Sequence, residues 1–219
     1  MAGRIALVTG FEPYGGRGIN PAAEVVKRID GTAVADATVV GRLLPVSFDR
    51  LRGHLDDLLD TVKPAVVLSL GLWPGEPVLR LERLAVNVAD FEIADNEGRF
   101  VTDEPLAGNG ATALSATLPL RAIEQALLAA GIPIRISNSA GTFLCNATMF
   151  AVLHALAARG RAVPAGFLHL PYLPVQVAHL LEDTRRERVL ELGQRADLAS
   201  MELGTMVRAV EIALGVALA

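Results

Sequence analysis

Short unbroken apolar runs alternate with longer stripes of helical period along this chain. Ile5 to Val8 is wholly apolar, as a central strand buried on both faces requires. The glycine-rich stretch GFEPYGGRGIN follows at 10–20. Asn20 before Pro21 predicts a helix start, with Asn as N-cap and Pro at the first helical position, and the helix runs to about Ile29. Residues 33–44 alternate as a strand, and Ser47 opens a helix in which Leu51, Leu55, Leu58 and Leu59 recur at helical spacing until Lys63-Pro64. Ala65 to Leu70 predicts a strand and 71–77 a Gly/Pro loop. In 78–88 (VLRLERLAVNV) the apolar face swaps partway, which predicts one strand with a bulge or bend. A long polar loop spans 89–112.

Beyond it the pattern predicts a helix from Leu118 to Ala130 ended by Gly131, and a strand from Ile132 to Ser137. A tight turn at 138–144 leads into an apolar helix from Asn146 to Ala158. A strand from Ala165 to Leu170 and a helix near Pro174 follow, then an exposed charged stretch at 184–195 and a last helix from about Ala196 to Leu218. Strands alternating with helices predict a single-domain, three-layer α/β/α fold over 1–219, with a twisted, mostly parallel open sheet. Sites in such sheets lie at the carboxyl ends of the strands.

Composition narrows the classes. The 219 residues are 52% apolar with mean hydropathy +0.41, enough for a full core and an excess that fits a subunit interface. The net charge is −4 with no basic run, so a nucleic-acid partner is not expected. No apolar stretch has the length of a membrane span and no signal pattern opens the chain. A lone cysteine forms no internal disulfide and fits the reducing cytoplasm.

That cysteine, Cys145, follows a strand and a turn and stands at a helix start, where amides and macrodipole favour thiolate over thiol. The same amides would serve an oxyanion hole. Position alone leaves a buried structural cysteine equally open. His169 closes the strand before Pro171 and can reach a neighbouring loop; His54 and His179 read as exposed helix positions, and His154 lies further along the helix of Cys145. No pair of histidines has metal-ligand spacing, so a metal site is not expected. Glu82 sits in an apolar strand and needs a partner, either His169 or a neighbouring Arg80 or Arg83; Asp90, Asp95 and Glu97 are rival acids. The 10–16 loop lacks the dinucleotide spacing of glycines and a Walker lysine. It reads as a substrate loop presenting Phe11 and Tyr14, unless both rings merely plug the core.

Five segments together resemble a known family, pyroglutamyl peptidase I (pyrrolidone-carboxylate peptidase): VTGFEPYGGRGINPA, LERLAVNV, DNEG, SNSAGTFLCN and GFLHLPYLPVQ. They occur in the family's order and spacing across nearly the whole chain. The resemblance implies Cys145 as nucleophile, His169 as general base and acid, and Glu82 as the orienting acid. It also implies a cofactor-free homo-oligomer, a tetramer or dimer, that removes N-terminal pyroglutamyl residues from peptides. The implied pocket is Phe11, Tyr14, Asn20, Val46, Leu72, Ile93, Phe143 and Leu144. A neutral lactam asks for such an apolar slot with aromatic walls, Asn20 or backbone groups supplying the polar contacts.

Three positions depart from the family. Glu92 (in DFEIADNEG) and Glu76 (after Gly75) stand where many members carry Arg, and Leu72 where some carry Gln. An inward Glu92 would raise the thiol pKa; an outward one would change little. The acidic swaps leave two further readings: a non-catalytic binder of pyroglutamyl peptides, and a hydrolase of another small acyl amide.

Overall fold

Along β1 (Arg4–Phe11) successive side chains enter opposite layers: Ala6 and Val8 join one apolar cluster, Leu7 and Phe11 the other. The structure, a computed structural model, describes residues 3–108, 111–187 and 198–219. The layer of Ala6 and Val8 is filled by α1 (Pro21–Ile29), α3 (Leu120–Ala129) and α6 (Leu203–Leu218). The layer of Leu7 and Phe11 is filled by α2 (Phe48–Val62) and α4 (Leu144–Ala158). A sheet buried on both faces is why its strands read as unbroken apolar runs.

The remaining strands are β2 (Ala33–Val34), β3 (Ala37–Leu44), β4 (Val66–Leu72), β5 (Leu79–Glu82), β6 (Leu84–Val86), β7 (Ala113–Ser115), β8 (Ile134–Ser137) and β9 (Ala165–Leu170). Six of them join β1 in one sheet of order β2-β3-β1-β4-β9-β5-β8. The sheet is mostly parallel, with β2–β3 and β5–β9 its antiparallel pairs. The carboxyl-end expectation therefore holds for β1, β4 and β9, whereas β5 and β8 run the other way.

Several expected elements are corrected. Residues 33–44 are two strands, because Ala35 turns the chain with φ +52°. Residues 78–88 do not form one bulged strand. The chain changes sheets at Arg83, β5 joining the large sheet and β6 pairing with β7, so each half buries a different face. The last helix begins at Leu203, capped by Glu202, whose carboxylate accepts from the Thr205 amide. Residues 188–197, which hold most of the charged stretch and the expected helix start, lie outside the described residues. Asn20 caps α1 as predicted, its Oδ1 accepting from the Ala22 amide. Helix α5 (Pro174–Glu187) starts at the predicted proline. Among the described residues no helix is long and apolar enough to cross a membrane.

Candidate active site

Strand register sets the site. Gly71 of β4 pairs with His169 of β9, His169 with Arg80 of β5, and Arg80 with Arg135 of β8. Residues paired across a sheet share a face, so these four form one row across four strands. The next row on that face holds Ser69, Phe167, Glu82 and Ser137. Phe167 belongs to the cluster shared with α4, so both rows look toward that helix.

Glu82 and His169 meet because β5 runs antiparallel to β9. Glu82 is wholly buried and His169 is 1% exposed. The imidazole Nδ1–H donates to Glu82 Oε1 at 2.8 Å. This fixes the tautomer and leaves Nε2 as the free nitrogen. Phe167 and Trp73 hold the ring from two sides, with centroids 4.8 and 5.0 Å away.

Cys145 is the second residue of α4, after the N-cap Phe143. The next residue, Asn146, anchors that helix start: its Nδ2 donates to the carbonyls of Val86 and Val88, and its Oδ1 accepts from the Val86 amide. The preceding turn is tied to the 89–101 segment by the Thr142 hydroxyl donating to the Asp90 carbonyl at 2.7 Å. So placed, Cys145 Sγ lies directly over Gly71. A methyl group on Gly71 would sit 2.7 Å from Sγ and 2.9 Å from the Phe167 ring. Only a glycine at the end of the row leaves room for the sulfur over this strand, next to the one that carries His169.

Burial, helped by the negative charge of Glu82, pushes the Cys145 thiol up to about 12, against its own backbone N–H, which favours thiolate. The expectation that the helix start favours thiolate is thus outweighed by desolvation in the free site. Burial also pulls His169 below its ordinary value, although Glu82 pulls the other way. In the resting site the proton is on sulfur, and a neutral imidazole stands ready to take it.

Cys145 and His169 open into a cavity of about 300 Å³, also lined by Phe11, Tyr14, Asn20, Val46, Leu72, Ile93, Phe143 and Leu144. Every residue expected in the pocket is in this one cavity. Phe11 is buried yet faces the cavity, and the Tyr14 and Phe143 rings lie 6.4 Å apart, so neither aromatic of the glycine-rich loop only plugs the core. Burial, then the proximity of Cys145, holds the Tyr14 phenol protonated. Asn20 lines the cavity while its Nδ2 donates to the Glu12 carbonyl and its Oδ1 accepts from the Ala22 amide.

The rival groups are occupied elsewhere. Asp95 is buried, but accepts from the amides of Phe48, Arg99 and Glu97, which keep its carboxyl below the usual range. It thereby shapes the DNEG turn, whose Asn96 donates to the Pro13 carbonyl and ties that turn to the glycine-rich loop. Glu97 accepts from the Ser47 hydroxyl. Asp90 and Glu92 line the cavity as exposed residues at its rim. His179 is exposed as expected; His54 is half-buried, contrary to expectation.

Two residues escaped the sequence reading. Trp73 lines the cavity, touches His169 and stacks on Arg80. Its signal was being the single tryptophan of the chain, set in a Gly/Pro loop. Arg80 was read only as a rival partner of Glu82, and its Nε is 3.2 Å from Glu82 Oε1. Glu76 is buried and pairs with Arg80 and Arg135. Among the described residues no group of three or more His, Cys, Asp or Glu is placed to hold a metal ion.

A half-buried thiol at a helix start, sharing a cavity with a histidine oriented by a buried carboxylate, is the arrangement of a cysteine hydrolase. Residues 4–219 match the family model described as pyroglutamyl peptidase. The chain belongs to that family of cysteine peptidases. It is 41% identical over 212 residues to the pyrrolidone-carboxylate peptidase of Thermococcus litoralis, covering 97% of this chain and 92% of that one. It is 45% identical over 171 residues to the Pyrococcus furiosus enzyme of the same name, covering 78% and 82%. The crystal structure of pyrrolidone carboxyl peptidase from Pyrococcus furiosus superimposes with a TM-score of 0.90 at 41% identity over 98% of both chains.

Proposed function

We propose that this pyroglutamyl peptidase acts through Cys145, His169 and Glu82 as a single domain spanning 1–219. The observation that carries the reading is the shared cavity: the thiol and the oriented imidazole open into one apolar, aromatic-walled space of about 300 Å³. A pyroglutamyl ring is a neutral lactam with no ammonium group, and such a wall suits it.

In the cycle, His169 Nε2 takes the thiol proton as Sγ attacks the carbonyl carbon of the pyroglutamyl residue. The developing oxyanion is stabilised by amides of the first turn of α4. The C–N bond breaks as His169 gives that proton to the departing amine. Water then attacks the thioester, losing a proton to His169. The C–S bond breaks, pyroglutamate leaves, and the sulfur recovers the proton. Glu82 holds the imidazole in the tautomer each step needs and stabilises its charged form.

The test is release of a chromogenic amine from a pyroglutamyl amide by reduced protein. Release that disappears in Cys145→Ser is expected; no release between about pH 6 and about pH 9, the range of ordinary His and Cys titration, would overturn the assignment. Binding of the amide without turnover would leave a non-catalytic binder instead.

We also read the protein as a cytoplasmic homo-oligomer, a tetramer or dimer that uses no cofactor. The apolar share of 52% and exposed side chains such as Phe100, 64% exposed, support assembly. The lone cysteine supports a reducing compartment. Light scattering of the eluting peak measures the assembly state directly.

A further inference from the structure

Four side chains of alternating charge run inward from solvent to the catalytic histidine. Arg135, with a half-exposed side chain, donates from Nε and NH2 to the two carboxylate oxygens of Glu76 at 3.1 and 2.9 Å. Glu76 is buried and receives Arg80 NH1 at 3.4 Å. Arg80 is 8% exposed, and its Nε lies 3.2 Å from Glu82 Oε1, the same oxygen that accepts from His169. The guanidinium has little freedom. Its NH2 donates to Ser137 Oγ at 2.7 Å and the Ser139 carbonyl at 3.0 Å, and its face lies 3.6 Å over the Trp73 ring.

A buried carboxylate with a single imidazole partner would carry an unbalanced charge whenever that imidazole is neutral. Arg80 supplies the balance, and Glu76 in turn balances Arg80. Glu76 reaches this network from the 71–77 loop and Arg80 from β5. Arg135, Glu76, Arg80 and Glu82 together carry no net charge.

We propose that Arg80 is a positioning residue of this active site, fixing Glu82 Oε1 toward His169, and that Glu76 sets how much of Arg80's positive charge the histidine feels. The assignment rests on the peptidase reading above. The charged and titratable groups facing His169 are Glu82, Arg80 and Glu76 from the β5 side and Cys145 from α4. Burial pulls its proton affinity down, Glu82 raises it, Arg80 lowers it and Glu76 raises it. Removing Arg80 and removing Glu76 must therefore move the site in opposite directions. The same signs hold for the first proton lost by the coupled Cys145–His169 pair, since a cation favours deprotonation of either member and an anion opposes it.

The experiment is the pH profile of kcat/KM on a pyroglutamyl amide for wild type, Arg80→Met, Arg80→Lys, Glu76→Gln and the double variant E76Q/R80M, with circular dichroism confirming the fold. Arg80→Met is expected to raise the midpoint of the acid limb by about one pH unit and Glu76→Gln to lower it by about half a unit, as a charge a few ångströms away does. The double variant should fall between the two. Arg80→Lys keeps the charge but loses the planar fork, so its limb should stay at the wild-type pH while kcat falls about tenfold. Acid limbs that coincide in wild type and Glu76→Gln, or that move the same way in Glu76→Gln and Arg80→Met, would overturn the proposal. If Arg80→Met does not fold, the limb of Glu76→Gln decides alone. An inactive wild type would instead remove the peptidase reading beneath it.

Discussion

Glu82 Oε1 accepts the Nδ1–H of His169 at 2.8 Å, and neither side chain meets solvent. The two residues lie on neighbouring antiparallel strands, one row apart on the same face, so the backbone fixes their contact. Glu82→Gln keeps the size but presents an amide that allows the other tautomer and stabilises no imidazolium. The expected loss in kcat is on the order of 10³- to 10⁴-fold. Steady-state kinetics on a pyroglutamyl amide checks it, and a loss below about tenfold would contradict an orienting role.

Gly71 is demanded by closeness. Gly71→Ala places a methyl group 2.7 Å from Cys145 Sγ and 2.9 Å from the Phe167 ring. The expected cost is about 1–3 kcal/mol of stability with a large loss of activity, because the sulfur must leave its place beside His169. Thermal melts and the rate of iodoacetamide labelling of Cys145 read the two effects separately.

The thiol makes stability fall on the alkaline side. Its folded pKa of about 12 lies above its ordinary value of 9.0, so its contribution is full below pH 9 and is lost as pH rises toward 12. Between pH 8 and pH 10 the wild type should lose roughly 1 kcal/mol more than Cys145→Ala, as seen in urea melts under reductant. His169 acts on the acid side. Its folded value lies below 6.5, so its contribution is full above 6.5 and drains as pH falls below that value. Parallel pH dependences of the two proteins between pH 8 and 10 would show that burial does not hold the proton on sulfur.

Glu92 stands at the cavity rim, exposed, while the negative charge raising the thiol comes from Glu82. Solvent screens a rim charge. Glu92→Gln should change the labelling rate of Cys145 by less than about threefold, and the difference should vanish at high salt. A tenfold gain would mean that the side chain turns inward.

Much of the protein was legible in its sequence because local rules govern those features. Buried strands need unbroken apolar runs, as at Ile5–Val8, and a helix start needs a side-chain acceptor, as Asn20 provides. The family motifs placed Cys145, His169 and Glu82 as candidates, and the tertiary structure opens Cys145, His169 and the expected pocket residues into one cavity, with Glu82 buried behind the imidazole. Local pattern was blind to strand direction and register. It took 78–88 for one strand, although the chain leaves the large sheet at Arg83, and it read Arg80 only as a rival partner of Glu82, with no link to Glu76. The alternating run from Arg135 to His169 exists only because β5 lies between β8 and β9 with His169, Arg80 and Arg135 in one row. The sequence by itself determined which groups are available for chemistry, since residue type and period are local. Which of them touch, and which charge balances which, was decided by the pairing of strands far apart in the chain, a long-range choice that no local period encodes.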